Sequence, residues 1–155
     1  MKPVAIFRYA EVDGPAYFST YLTERGIPQQ LIRIDAGESV PSDPRSYSGI
    51  ACMGGPMSAN DSLPWIAPML EFLRGARAAQ VPVIGHCLGG QLMARAYGGE
   101  VITNPRWEIG WGLVQIGDSA AAREWFGRSI DDASAFLSFH WHGEAFTLPI
   151  GAINL

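Results

Sequence analysis

Short apolar runs separated by turn signals organise the first half of the chain. Val4-Ala5-Ile6-Phe7 is apolar throughout, the pattern of a central parallel strand covered on both faces. Tyr17, Phe18, Tyr21 and Leu22 then recur at helical spacing until Gly26-Ile27-Pro28 stops them. Gln30-Leu31-Ile32-Arg33-Ile34 alternates enough to predict a strand nearer a sheet edge, and Asp35 to Ser48, with Gly37, Pro41 and Pro44 and no periodicity, reads as loop. Gly49-Ile50-Ala51-Cys52-Met53 is a third strand running into Gly54-Gly55-Pro56. Helical spacing returns after Leu63-Pro64-Trp65, with Ile66, Met69, Leu70 and Leu73 on one face as far as about Gln80.

The next stretch carries the strongest local signal. Val81-Pro82-Val83-Ile84 is too short for a helix and rich in β-branched residues, so it reads as a buried strand. Gly85-His86-Cys87-Leu88-Gly89 follows, the Gly-x-nucleophile-x-Gly pattern of a nucleophile elbow with cysteine in the reactive position. From Leu88 the period turns helical through Gln91, Leu92, Arg95 and Ala96, and Gly98-Gly99 supplies the stop. Cys87 is thereby set at the amino end of a helix, where unpaired amides and the helix dipole favour an anion. That placement suits a sulfur that attacks as a thiolate. Beyond it, Val101-Ile102 and an alternating Trp111 to Ile116 suggest an antiparallel strand. Ala120 to Phe126 reads as a modest helix or turn, and Phe136 to Trp141 as a further strand.

Composition narrows the picture. A chain of 155 residues can bury one core, and 48% hydrophobic with 17% charged residues fits a globular domain rather than a disordered one. No apolar run approaches the length needed to span a bilayer, so neither membrane insertion nor a membrane partner is expected, and a cytoplasmic protein is. The net charge of −4 offers no basic stripe for phosphates, which argues against nucleic acid. With only Cys52 and Cys87 and no Cys-x-x-Cys pair, a disulfide framework is not expected, and Cys52, inside an apolar run, is assigned to packing. His140 and His142 are expected on opposite faces of their strand, so that no shared metal is expected there.

Several segments together resemble the class I glutamine amidotransferase family. Gly85-His86-Cys87-Leu88-Gly89-Gly90-Gln91 is similar to its G-x-C-x-G-x-Q signature, and Met53-Gly54-Gly55-Pro56-Met57-Ser58 to its Gly-Gly-Pro loop. Glu108-Ile109-Gly110-Trp111 resembles its Glu-x-Gly-Trp turn, and His140-Trp141-His142-Gly143-Glu144 ahead of Leu148-Pro149 resembles its His-Gly-Asp loop. The order matches, and the whole is similar to stand-alone, GMP-synthase-like amidotransferase domains of bacteria. The resemblance implies an α/β fold with an open, mostly parallel sheet flanked by helices, flavodoxin-like, in one domain over residues 1–155. It implies that Cys87 attacks the side-chain amide of glutamine, that ammonia leaves, and that a γ-glutamyl thioester is hydrolysed. Gly55 and Leu88 would supply oxyanion-hole amides, while Gly54, Gln91 and the Trp141-His142-Gly143 backbone would hold the substrate. No cofactor and no metal are implied.

The family also carries a catalytic His-x-Glu downstream of the His-Gly-Asp-like loop. His142-x-Glu144 has that spacing, but the adjoining Ala145-Phe146-Thr147-Leu148-Pro149 places it with the substrate-side loop. The expectation is therefore a domain lacking its final strand, helix and catalytic pair, weak or inactive, with an open sheet edge available for self-association. Two other readings stay open at this point. One is a glutamine-binding fragment without turnover. The other is an α/β-hydrolase with a cysteine elbow, in which Asp131 or Asp132 followed by His140 would complete the triad. A synthetase or other ammonia acceptor is an expected partner of unknown identity.

Overall fold

The computed structural model describes residues 1–127 and 135–155. Four parallel strands form the main sheet: β1 (Val4–Arg8), β2 (Gln29–Arg33), β3 (Gly49–Cys52) and β4 (Val83–Gly85), in the order β2-β1-β3-β4. The helices between them are α1 (Ala16–Glu24) and α2 (Ile66–Ala78), and α3 (Leu88–Ala96) follows β4 directly. This is an open, doubly wound α/β arrangement, in which ligands bind beyond the carboxyl ends of the strands.

Alternation along the strands divides the core into two layers. Ala5 and Phe7 of β1 with Ile50 and Cys52 of β3 face α2 and α3, where Met69, Leu73 and Leu92 are fully buried. The opposite side chains, Ile6 and Ala51, pack with Leu22 of α1 in a much smaller cluster. The Asp35 to Ser48 segment is not featureless. It contains 3-10 turns at Ile34–Ala36 and Pro44–Ser46, the second capped by Asp43, whose carboxylate accepts from the Arg45 amide at 3.0 Å. Asp35 also takes a two-pronged bond from Arg8, at 3.2 and 2.8 Å, tying that loop to the end of β1.

One strand differs from expectation. β4 is an edge rather than a buried strand, and Ile84 is 49% exposed. The register explains this: Ile84 pairs with Ala51 and so points to the thinly covered α1 side, whereas Val83 pairs with Ile50 and packs against the main core.

The rest of the chain builds a separate two-stranded antiparallel ribbon from β5 (Val101–Gln115) and β6 (Ala135–Phe146), with α4 (Ala120–Phe126) following β5. α4 is capped by Ser119, whose hydroxyl accepts from the Ala122 amide at 3.0 Å. Instead of two separate strand pieces, β5 runs continuously through Asn104-Pro105-Arg106, with a register shift between Thr103 and Glu108. A proline is tolerated there because a two-stranded ribbon leaves each strand one free edge.

The ribbon has two chemically distinct faces. Ile109, Trp111 and Leu113 pair with Trp141, Phe139 and Leu137 to make an exposed apolar face. Glu108, Gly110 and Gly112 pair with His142, His140 and Ser138 on the other. His140 and His142 therefore share a face, contrary to expectation, because residues two apart on a pleated strand point the same way. Their ring centroids are 5.8 Å apart.

Substitutions should report the difference between the layers. Leu73→Ala, at a fully buried position, is expected to lower stability by about 2–5 kcal/mol in urea unfolding. Trp111→Ala, at a position 70% exposed, is expected to stay within about 0.5 kcal/mol.

Candidate active site

The site begins with backbone contacts that only glycine permits. A Cβ on Gly89 would lie 2.1 Å from the Cys52 carbonyl oxygen, and one on Gly85 would lie 2.6 Å from the backbone of Gly89 and Gly90. Those approaches draw the start of α3 against the ends of β3 and β4. Hydrogen bonds lock the turn: the His86 amide donates to Cys52 O at 2.9 Å, and the Gly89 amide to Met53 O at 3.1 Å. Between the two glycines Cys87 is held at φ 51° and ψ −114°, a conformation that L residues rarely adopt. Strain of this kind at an exposed cysteine is what a nucleophile elbow produces.

The two cysteines live in opposite surroundings. Cys87 is exposed, whereas Cys52 is completely buried, and burial pushes its thiol up to about 12. Cys52 is thus a packing residue, as its apolar run implies.

The loop after β3 closes over the elbow. A Cβ on Gly54 would be 3.6 Å from the Cys87 Cβ, and one on Gly55 would be 3.0 Å from a Leu88 methyl and 2.7 Å from Met57 Sδ. Leu88 itself is fully buried beneath that loop. The paired glycines and the first residue of α3 are therefore brought together beside the sulfur.

A cavity of about 360 Å³ opens in front of Cys87. Its walls include Gly55 and Gln91 from the main sheet's loops and helix, and Trp141, His142 and Gly143 from the ribbon. Gln91, the one buried polar side chain among the described core residues, lines it at 6% exposure. Gly54 and Leu88 are absent from this wall and lie behind it. Pro56, Met57 and Ser58, quoted in the loop motif without a site role, and Thr103 and Trp107, not singled out from the sequence, complete the lining with Glu144. Trp107 had a readable signal in its position just before Glu108-Ile109-Gly110-Trp111. Gly143 is glycine because a Cβ there would meet the Trp107 indole at 2.7 Å.

Polar contacts fasten the ribbon to this wall. Ser58 Oγ donates to Glu144 Oε1 at 2.7 Å and Asn60 Nδ2 to Val101 O at 3.0 Å, while Arg95 of α3 braces the same loop by donating to Ala59 O. His142 sets its Nδ1 3.1 Å from Glu144 O and its Nε2 2.9 Å from Glu108 Oε2. Both ring nitrogens thus have partners on the ribbon itself, and neither is spent on Cys87. The residues of the hydrolase alternative, Asp131 and Asp132, lie outside the described residues.

Residues 17–152 match the family model described as glutamine amidotransferase class-I. The chain belongs to that family. The fold agrees with those of solved members: a glutamine amidotransferase from Methylobacillus flagellatus superposes with a TM-score of 0.93 at 44% identity, over 99% of this chain and 60% of that one. A glutamine amidotransferase from Thermotoga maritima, at 24% identity, shares the fold with a TM-score of 0.81 over 96% of this chain and 63% of its own. Among curated relatives, the glutamine-hydrolysing GMP synthase of Aromatoleum aromaticum is 34% identical over 108 residues, 67% of this chain and 20% of the synthase. A glutamine amidotransferase-like protein of Salmonella typhimurium is 27% identical over 126 residues, covering 78% of this chain and 52% of its own. The chain therefore spans between a fifth and about two thirds of the length of these relatives.

Selective alkylation tests the contrast between the two thiols. Iodoacetamide at pH 8 is expected to modify Cys87 of the folded protein and spare Cys52, which stays neutral and enclosed. Peptide mass mapping reads the outcome, and equal labelling of both in folded protein would contradict it.

Proposed function

We propose that this amidotransferase chain performs glutamine chemistry at Cys87, and that the observation carrying the reading is the strained, exposed cysteine facing a cavity lined by Gln91. The sulfur, as thiolate, adds to the side-chain amide carbon of glutamine. The carbon–nitrogen bond then breaks, nitrogen takes a proton and leaves as ammonia, and a γ-glutamyl thioester remains on Cys87. Water hydrolyses the thioester to glutamate and regenerates the thiolate. The backbone amides of Gly55 and Leu88 stabilise the oxyanion of the two tetrahedral intermediates. Gln91 holds the amide end of the substrate and the Trp141-His142-Gly143 backbone grips its α-amino-acid end, while Gly54, behind the wall, keeps the loop close to Cys87.

Proton transfer is the weak point of this site. His142 is the histidine with family-like spacing to a glutamate, yet its ring is engaged by Glu108 and by the Glu144 carbonyl, and the Glu144 carboxylate is engaged by Ser58. Missing general acid–base help costs about 10²- to 10⁴-fold in rate. Slow turnover of the 155-residue chain follows, with acylation at Cys87 retained. The same engagement favours, as a second reading, a domain that binds glutamine without turnover.

By analogy with its glutamine-hydrolysing GMP synthase relatives, the ammonia passes to a synthetase acceptor in the cytoplasm. No helix among the described residues is long and apolar enough to cross a membrane. The half-exposed Ile84 on edge strand β4 supports self-association through that edge.

Two measurements on one preparation test the proposal: ammonia release from glutamine, and the mass shift given by a glutamine-like chloroketone. One equivalent of label on Cys87 is expected, with slow ammonia release lost in Cys87→Ser. Labelling with no release at all selects the binding reading. Absence of labelling, or release undiminished in Cys87→Ser, overturns the proposal. Fast turnover abolished by His142→Ala would overturn its account of the missing base.

A further inference from the structure

Beside the nucleophile cavity, the polar face of the ribbon gathers three groups that the glutamine chemistry does not use together. Glu108 and His142 sit directly opposite one another across the β5–β6 pairing, and His140 stands two residues before His142 on the same face. One oxygen of Glu108 and one ring nitrogen of each histidine all lie within 4.8 Å of one another. The closest pair, His142 Nε2 and Glu108 Oε2, is at 2.9 Å. Around a tetrahedral ion with bonds of about 2.0–2.1 Å, donor atoms stand roughly 3.3 Å apart. The cluster thus brackets that spacing, and small side-chain rotations bring it there without moving the backbone.

Two further observations point to an ion rather than to a simple hydrogen-bonded group. His140 Nε2 is shut off from solvent and has no hydrogen-bond partner among the described residues. An orphan of this kind carries a desolvation cost with nothing in return, which a metal bond would offset. In its neutral form His142 can present a lone pair to the cluster. Its Nδ1 stands 3.1 Å from the Glu144 carbonyl oxygen and can act there only as the donor, so the lone pair of neutral imidazole is on Nε2, the atom facing Glu108.

Glycines clear the ground around the cluster. A Cβ on Gly112 would press on the His140 ring at 3.1 Å, and Gly110 and Gly112 line a second cavity of about 360 Å³ with Glu108 and His140. That space leaves room for a fourth ligand from solvent.

We infer that Glu108, His140 and His142 form a binding site for a late first-row divalent cation, zinc above all, with a fourth position open. Two imidazoles and one carboxylate are a donor set that zinc accepts, and imidazole disfavours magnesium and calcium. The ion joins β5 to β6 just after the register shift at Thr103/Glu108 and fixes the edge of the nucleophile cavity through His142. The donor set is independent of any chemistry at Cys87.

The test uses the full chain carrying Cys87→Ser, so that the thiol cannot compete for metal. After chelator treatment and dialysis, zinc titration by calorimetry should show one equivalent per chain. His140→Ala and Glu108→Gln should each weaken it by about tenfold or more. Cobalt(II) in the same protein should give the visible bands of tetrahedral nitrogen and oxygen ligation, lost in the His140→Ala, His142→Ala double variant. Circular dichroism and urea unfolding of each variant verify that it is folded, and His140→Gln serves where the alanine variant is not. The site is overturned if zinc fails to bind, if it binds equally well to folded variants lacking His140 or Glu108, or if cobalt gives octahedral bands only.

Discussion

The contact on which the structure turns is the approach of α3 to the end of β3. Gly89 lies so close to the Cys52 carbonyl that no side chain fits between them, and that carbonyl accepts the His86 amide at 2.9 Å. With both ends of the turn pinned, Cys87 has little choice of conformation. The positive φ of 51° costs free energy of order 1–3 kcal/mol, held by the packing of Leu88 and Leu92 in the core beneath. A stable core is therefore the source of the reactive geometry, and the buried Cys52 is part of it.

The ribbon supplies the other half of the cavity, and two side-chain hydrogen bonds, Ser58 to Glu144 and Asn60 to Val101, link it to the loop after β3. Such links are individually modest, about 0.5–1.5 kcal/mol net each. The wall carrying Trp107, Trp141 and His142 is accordingly the more easily displaced of the two. The same ribbon turns its aromatic face outward, with Trp111 packed edge-on against Phe139 at 5.6 Å.

Much of this was legible in the sequence because the deciding features are local. Apolar runs marked β1 and β3, helical spacing marked α1 to α3, and Gly85, Cys87 and Gly89 marked the elbow. What was not legible depends on neighbours distant in sequence. Ile84 looks buried in a β-branched run and is exposed because its register with Ala51 turns it to the thinly covered α1 side. Val101-Ile102 and Trp111 to Ile116 look like separate pieces and join in one strand because the two-stranded ribbon accommodates Pro105 at a free edge. The grouping of Glu108 with His140 and His142 depends on the cross-strand register as well as on strand alternation. Trp107 enters the cavity only because Gly143 on the partner strand makes room for its ring.

The central claim is that glycine at 89, by admitting the Cys52 carbonyl, holds Cys87 in its reactive conformation. The most direct measurement is the rate of Cys87 alkylation at fixed pH in folded Gly89→Ala, compared with the parent chain and with Gly98→Ala as a control far from any contact. The account predicts a loss of stability of at least about 1–3 kcal/mol together with a clear change in Cys87 reactivity for Gly89→Ala, and unchanged Cys87 reactivity for Gly98→Ala. Parent-like stability and parent-like reactivity in Gly89→Ala would contradict it.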